Sequence, residues 1–108
     1  MDAQIKKGIL EMCILQLLAQ EPMYGYPLMK YIRTLFPEVD ESTVYAILRR
    51  LYKEGFADSY FAESSEGPKR KYYSITEEGR ERLEEYCSQW DEIVNIVNEI
   101  KGGKFYEN

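Results

Sequence analysis

The sequence predicts a mainly α fold carrying one small β-hairpin and closed by a single long helix. Three observations predict it. Val44, Ile47, Leu48 and Leu51 recur at spacings of three and four, which draws one apolar stripe along a helix. Directly after Gly55 the pattern changes to that of a hairpin: an aromatic-rich run over 56–61, turn chemistry over 62–68, and a basic return over 69–75. From 76 to 101 the apolar spacing of three and four resumes, until Gly102-Gly103 stops it. A helix followed at once by a basic-tipped hairpin is the layout of a winged helix-turn-helix.

Each element has its own local reason. Residues 5–19 form a first helix with Ile9, Leu10, Met12, Cys13, Ile14, Leu15, Leu17 and Leu18 apolar around more than half its circumference, so it needs cover on two sides. Glu21-Pro22 ends it. A second helix runs over about 24–36, with Pro27 tolerated in its first turn, a core stripe of Leu28, Ile32 and Leu35, and Pro37 beyond its end. Gly25, between Tyr24 and Tyr26, is expected to let the first two helices pack closely. The third helix takes Ser42 as N-cap and Gly55 as its left-handed C-terminal residue. Strand alternation then turns Tyr73 and Ile75 inward, and Arg70 and Tyr72 outward. Thr76 caps the final helix, with Glu77 and Glu78 at the positive end of its dipole.

At 108 residues the chain has room for one domain with a modest core, and a charged fraction of 31% beside 44% apolar residues excludes a disordered chain. No apolar run approaches the ~18 residues of a membrane span and no signal-peptide pattern opens the chain, so a cytoplasmic location is expected. Cys13 and Cys87 sit in apolar helical stretches and read as buried free thiols. The sequence contains no histidine, no glycine-rich phosphate loop and no cysteine pair at zinc spacing, so neither catalysis nor a metal or cofactor is expected. The net charge of −5 opposes contact with phosphate, yet it belongs wholly to the chain after Thr76; before it, acidic and basic residues balance. Local potential decides such contact.

Candidate binding residues follow from these faces. Opposite its apolar stripe the third helix presents Ser42, Thr43, Tyr45, Ala46, Arg49 and Lys53. Hydroxyls near the N-terminus and cations further along suit a major groove. Alone, that face reads rather as an ordinary amphipathic helix with a solvated basic face; Lys69 and Arg70 at the tip of the hairpin shift the reading toward double-stranded DNA. The last helix carries Leu83, Tyr86, Cys87, Trp90, Ile93, Val94, Val97 and Ile100 as a heptad-like seam. Its 25 residues span roughly 37 Å, more than a compact body of 76 residues covers, so a second copy of the chain is the expected cover. Trp90 either packs in that dimer or, facing its symmetry mate, forms a slot for a flat aromatic ligand with Met12 at the side.

The runs Thr43-Val44-Tyr45-Ala46-Ile47-Leu48-Arg49-Arg50-Leu51-Tyr52-Lys53-Glu54-Gly55 and Gly67-Pro68-Lys69-Arg70-Lys71-Tyr72-Tyr73-Ser74-Ile75-Thr76-Glu77-Glu78-Gly79, with Tyr24-Gly25-Tyr26 upstream, resemble the PadR family of bacterial transcription regulators. The single helix after Thr76 is similar to the family's short-tailed branch. The resemblance implies a winged helix-turn-helix DNA-binding domain over 1–76, a dimerisation helix over 77–101 and a flexible tail over 102–108. It further implies a homodimer joined by first and last helices that binds a palindromic operator and usually represses. Ser42, Thr43, Tyr45, Arg49, Lys69, Arg70 and Lys71 become its DNA contacts. Some members of the branch bind planar drugs between paired tryptophans in a central pore. Trp90 resembles that tryptophan, and Ile93 and Val94 would make this pore strongly apolar. The alternative is a winged-helix module for protein interaction that never touches DNA, which the acidic balance favours.

Overall fold

The computed structural model describes residues 3–103, with side chains from residue 6 onward. The elements run α1 (Ala3–Gln20), β1 (Met23–Tyr24), α2 (Gly25–Leu35), α3 (Glu41–Lys53), β2 (Ala57–Ser64), β3 (Gly67–Ile75) and α4 (Glu77–Lys101). The strands form one antiparallel sheet in the order β1-β3-β2. The fold is a winged helix extended by one long helix.

The core lies where α1, α2, α3 and the base of the hairpin meet. Leu10, Ile14, Leu15 and Leu18 of α1 close against Leu28, Met29 and Ile32 of α2 and against the whole expected stripe of α3, Val44, Ile47, Leu48 and Leu51. Each such side chain, removed from water, contributes about 1.5–3 kcal/mol. The other side of α1, with Ile9, Met12, Cys13 and Leu17, is only half-buried. The need for a second cover is therefore real. Tyr73 is buried as alternation requires, and Ala57 beside it.

Several local expectations change. The stripe of α2 does not reach Leu35, which is 55% exposed; Met29 takes its place, and Val39 beyond the helix end seals that corner. Asp40, not Ser42, is the N-cap of α3, and no side chain caps there; Ser42 lies in the first turn. The hairpin is longer than its turn chemistry suggested, for only Ser65 and Glu66 separate β2 from β3. Pro68 falls inside β3, where β1 does not reach and where a register shift between Ala62 and Ser64 loosens the ladder. Cys13 and Cys87 are free but half-buried, and Cys87 Sγ accepts a hydrogen bond from Gln16 Nε2 at 3.5 Å. Of the expected tail, residues 104–108 lie outside the described residues.

One junction ties these elements together. Gly55, at φ +84°, ends α3: its N–H donates to the Tyr52 carbonyl and the Phe56 N–H to that of Leu51, at 3.2 and 2.9 Å. Thr76 Oγ1 donates to the Gly55 carbonyl at 2.7 Å and accepts from the Gly79 N–H at 2.9 Å, while the Thr76 N–H donates to the Phe56 carbonyl at 3.2 Å. Gly79 is required here, because a Cβ would collide with the Phe56 carbonyl. Thr76 caps α4 as expected.

Beyond this junction α4 leaves the body. The molecule measures 64 × 30 × 21 Å, and its radius of gyration is 17.0 Å where a compact chain of this length has about 13 Å. Among the described residues no helix is long and apolar enough to cross a membrane.

Candidate nucleic-acid interface

Helix α3 divides its polar residues among three directions. Ser42 and Arg49 lie seven residues apart on one line, with Ala46 and Lys53 on the next, and all four are exposed. This is the face opposite the core. Tyr45 and Tyr52, again seven apart, turn toward the hairpin. Gly25 abuts the Tyr45 ring so closely that an added Cβ would lie 2.6 Å from Cε1. The glycine therefore serves contact between α2 and α3, rather than between the first two helices. Thr43 is exposed on the opposite flank, a full residue step from Ser42.

The hairpin adds a second set. On its outer face Tyr60 and Tyr72 stack with centroids 5.6 Å apart, and Tyr24 of β1 tilts against Tyr72 at the same distance. The Arg70 guanidinium lies over the Tyr24 ring at 4.7 Å, a cation–π contact that holds this side chain half-buried. Lys71, on the other face, lies over Tyr52 of α3 at 5.9 Å and over Tyr73 at 5.6 Å. Lys69 and Lys71 are exposed. Arg70 and Lys71 both open onto a cleft of about 300 Å³ shared with Tyr24, Gly25, Tyr26, Tyr45 and Tyr73. Burial, and next to it the nearby Glu41 carboxylate, pushes the Tyr45 phenol above its ordinary 10.0.

The structure thus gathers Ser42, Arg49 and Lys53 on one face of α3 and Tyr45, Arg70 and Lys71 in the adjoining cleft, with Lys69 further out on the hairpin. Thr43 stands apart. Tyr24 and Tyr26 are the members sequence reasoning missed: their motif stood out, but nothing local shows that Met23-Tyr24 pairs with Tyr72 and Tyr73. Arg50, next to Arg49 in the chain, is committed elsewhere. Its Nη2 donates to Glu11 Oε1 at 3.0 Å, and Glu11, only 5% exposed, is the one buried charged residue among the described residues.

The far side of α1 holds a second candidate site. Gly8, Ile9 and Met12 of α1 face Tyr86, Gln89, Trp90 and Ile93 of α4 across an open, mostly apolar cavity of about 380 Å³. Met12, Trp90 and Ile93 are brought together as the sequence suggested. Val94 is not on this wall. The seam itself divides: Leu83 and Tyr86 pack on the chain's own core and Cys87 is half-buried, whereas Trp90, Ile93, Val94, Val97 and Ile100 are exposed.

Residues 14–85 match the family model described as the transcriptional regulator PadR-like family. The chain belongs to that family. A PadR-like transcriptional regulator from Bacillus cereus has 41% identity and a TM-score of 0.82, covering 91% of this chain and 96% of that one. A transcriptional regulator from Streptococcus gives 36% identity and a TM-score of 0.84 over 93% and 99%. An uncharacterised protein of Lysinibacillus sphaericus is 33% identical over 89% of this chain and 91% of its own. The PadR-like match includes α2, α3, both hairpin strands and the first third of α4, and so every candidate DNA contact. Met12, Trp90, Ile93 and Val94 lie outside it. A PadR-like chain is a regulator of transcription.

Proposed function

We propose that the chain is a cytoplasmic DNA-binding repressor that acts as a homodimer on a palindromic operator. The observation that carries this reading is the convergence of Ser42, Arg49 and Lys53 with Arg70 and Lys71 on adjoining surfaces, while the acidic excess resides in α4. In this reading residues 1–76 are the DNA-binding domain and 77–101 the dimerisation helix. The exposed half of α4, from Trp90 to Ile100, packs against its mate and against the second side of α1. That arrangement sets two α3 helices about 34–36 Å apart, one turn of DNA, so that both enter the same side of the duplex. Arg49 reads base edges or backbone, and the basic residues of the hairpin grip flanking phosphates.

A planar aromatic effector fits the cavity between α1 and α4. With the partner's Trp90 across the two-fold axis, the open side of that cavity would become a slot between two indoles. A ligand there acts by favouring one relative arrangement of the two reading domains over another.

The test is a fluorescence-anisotropy titration of the full chain with a duplex from upstream of its own coding sequence, at several salt concentrations. Binding should weaken by about 0.9 log units per log unit of salt for each phosphate neutralised. Arg70→Ala should lower both the affinity and the slope. No binding at low salt favours the protein-interaction module instead.

A further inference from the structure

The cleft of about 300 Å³ where α2 starts beside α3 and β3 is lined by two cations and several hydroxyls, and by no acid. Among the described residues neither Arg70 nor Lys71 forms an ion pair. Aromatic rings alone hold them, Tyr24 under Arg70 and Tyr52 and Tyr73 under Lys71. The Glu41 carboxylate, whose charge is felt at Tyr45, does not line the cleft and pairs with Arg33 at 3.7 Å. Helix α2 opens onto the cleft with Gly25 and Tyr26; its N-cap Tyr24 makes no side-chain hydrogen bond, and its first turn holds no acid. The positive end of its dipole is thus left without a compensating charge.

The floor supplies the observation that points to a ligand. Tyr73 is only 5% exposed and its ring belongs to the core, yet it lines the cleft, and its hydroxyl hydrogen-bonds to no described residue. Among the described residues, the one side-chain polar atom sealed from water without a partner is Nε of Arg82. The Tyr73 hydroxyl is therefore not sealed, and the cleft is what it opens onto. Burial first, then Glu41, then the phenols of Tyr73 and Tyr26 hold the Tyr45 phenol above its ordinary 10.0; the last two causes place the three hydroxyls near one another. Phenols, a guanidinium and an ammonium all donate hydrogen bonds, and the two cations accept none. Donors gathered in this way call for an oxyanion.

A phosphomonoester suits the cleft better than a phosphodiester. The monoester ends in three strong acceptor oxygens and carries close to two negative charges near neutral pH, which two unpaired cations match. A diester of the DNA backbone has two free oxygens, one charge and a sugar on either side. It can meet Arg70 and Lys71 at the mouth, but its flanking sugars keep it from a floor made by a buried tyrosine. The volume lies at the lower end of the range for small-molecule sites, enough for a phosphate on a short carbon chain.

We propose that this cleft seats the phosphate of a small phosphomonoester, which reaches Tyr73 and Tyr45 at the floor, occupies Arg70 and Lys71, and so competes with the operator. The seat itself is independent of the DNA-binding reading above; the competition rests on it.

The experiment titrates the full chain by calorimetry with glycerol 3-phosphate and with dimethyl phosphate at fixed ionic strength, using wild type, Tyr73→Phe and Arg70→Ala. Wild type should bind glycerol 3-phosphate saturably and dimethyl phosphate about tenfold more weakly or worse. Tyr73→Phe keeps the ring that packs the core and removes only the hydroxyl. It should weaken glycerol 3-phosphate roughly tenfold or more, the worth of a hydrogen bond to a charged group, and leave affinity for the upstream duplex within about twofold. Arg70→Ala should weaken both ligands. In the anisotropy assay glycerol 3-phosphate should release the duplex, and potassium chloride of equal ionic strength should not. Absence of saturable binding in the millimolar range overturns the seat, as does unchanged glycerol 3-phosphate affinity in Tyr73→Phe. Equal binding of the two phosphates, with duplex affinity lost in Tyr73→Phe, assigns the cleft to the DNA backbone and overturns it too. Duplex that stays bound at saturating glycerol 3-phosphate overturns the competition. A chain that binds glycerol 3-phosphate but no duplex upholds the seat and removes the DNA-binding reading.

Discussion

Helix α3 and the outer half of α4 are written in the same pattern and end in opposite environments. Both repeat Val, Ile or Leu at spacings of three and four. In α3 every member of the stripe is buried, and the remaining faces are polar. In α4 the stripe is covered only as far as Cys87; from Trp90, at 45% exposed, to Ile100 it faces outward. The difference shows that an amphipathic stripe states a demand for cover without saying who supplies it. For α3 the rest of the chain lies within reach. For α4 it does not: the molecule is 64 Å long but only 30 Å and 21 Å across, and the outer half of the helix is left exposed.

The largest expected effect tests that contrast directly. Leu51→Ala should lower folding stability by about 2–5 kcal/mol, read as a fall in the urea midpoint. Ile96→Ala, an exposed position off the α4 seam, should stay within about 0.5 kcal/mol. Equal losses would mean that the two helices are not different after all. Next, Ile93→Glu should weaken self-association roughly thirtyfold or more by sedimentation, with the far-ultraviolet circular dichroism of the folded chain retained. An unaltered sedimentation profile would show that the exposed seam is not where two copies meet.

Adjacent arginines on α3 sharpen the comparison at smaller scale. Arg49→Ala should reduce DNA affinity by a factor worth about 1–3 kcal/mol and leave the urea midpoint in place. Arg50→Ala should act the other way, costing about 1–3 kcal/mol of stability by leaving the Glu11 carboxylate without its partner. Equal effects from both substitutions on both measurements would refute the division of labour between them. The smallest effect is a near-constant. With no histidine in the chain, DNA affinity should change little from about pH 6 to 8. The raised Tyr45 phenol stabilises the fold fully below its ordinary 10.0, and that contribution is lost only as pH climbs past its higher folded value. A steep affinity change near neutrality would point to a group not considered among the contacts.

What was legible in the sequence was mostly what is local. Apolar spacing showed all four helices, and Gly55 and Thr76 marked their ends because each helix end satisfies its backbone within a few residues. The hairpin is legible but reads too short, since Gly67-Pro68 has turn chemistry although both residues continue β3. Met23-Tyr24 escaped because two residues have no periodicity, and their pairing with Tyr72 and Tyr73 spans half the chain. Leu35 reads as core because spacing alone cannot show that the core ends one turn earlier. In the candidate site the cations on α3 and the hairpin were visible, but not which were free. Arg49 and Arg50 are chemically identical neighbours. Only the approach of Glu11, 39 residues from Arg50 in the chain, distinguishes the arginine available to a ligand from the one that holds α1 to α3.

The junction of Gly55, Phe56, Thr76 and Gly79 has a mechanical consequence. It anchors the end of α3, the root of the hairpin and the start of α4 through five short hydrogen bonds and one backbone contact too close for any side chain. Those three parts therefore swing as a single crank, with α4 as its handle. A rotation of that handle would reach both the helix and the hairpin. In the proposed dimer the arm from this junction to Trp90 is roughly 20 Å, so a molecule lodged there would need to shift the handle only slightly to spoil the pitch of the two reading heads.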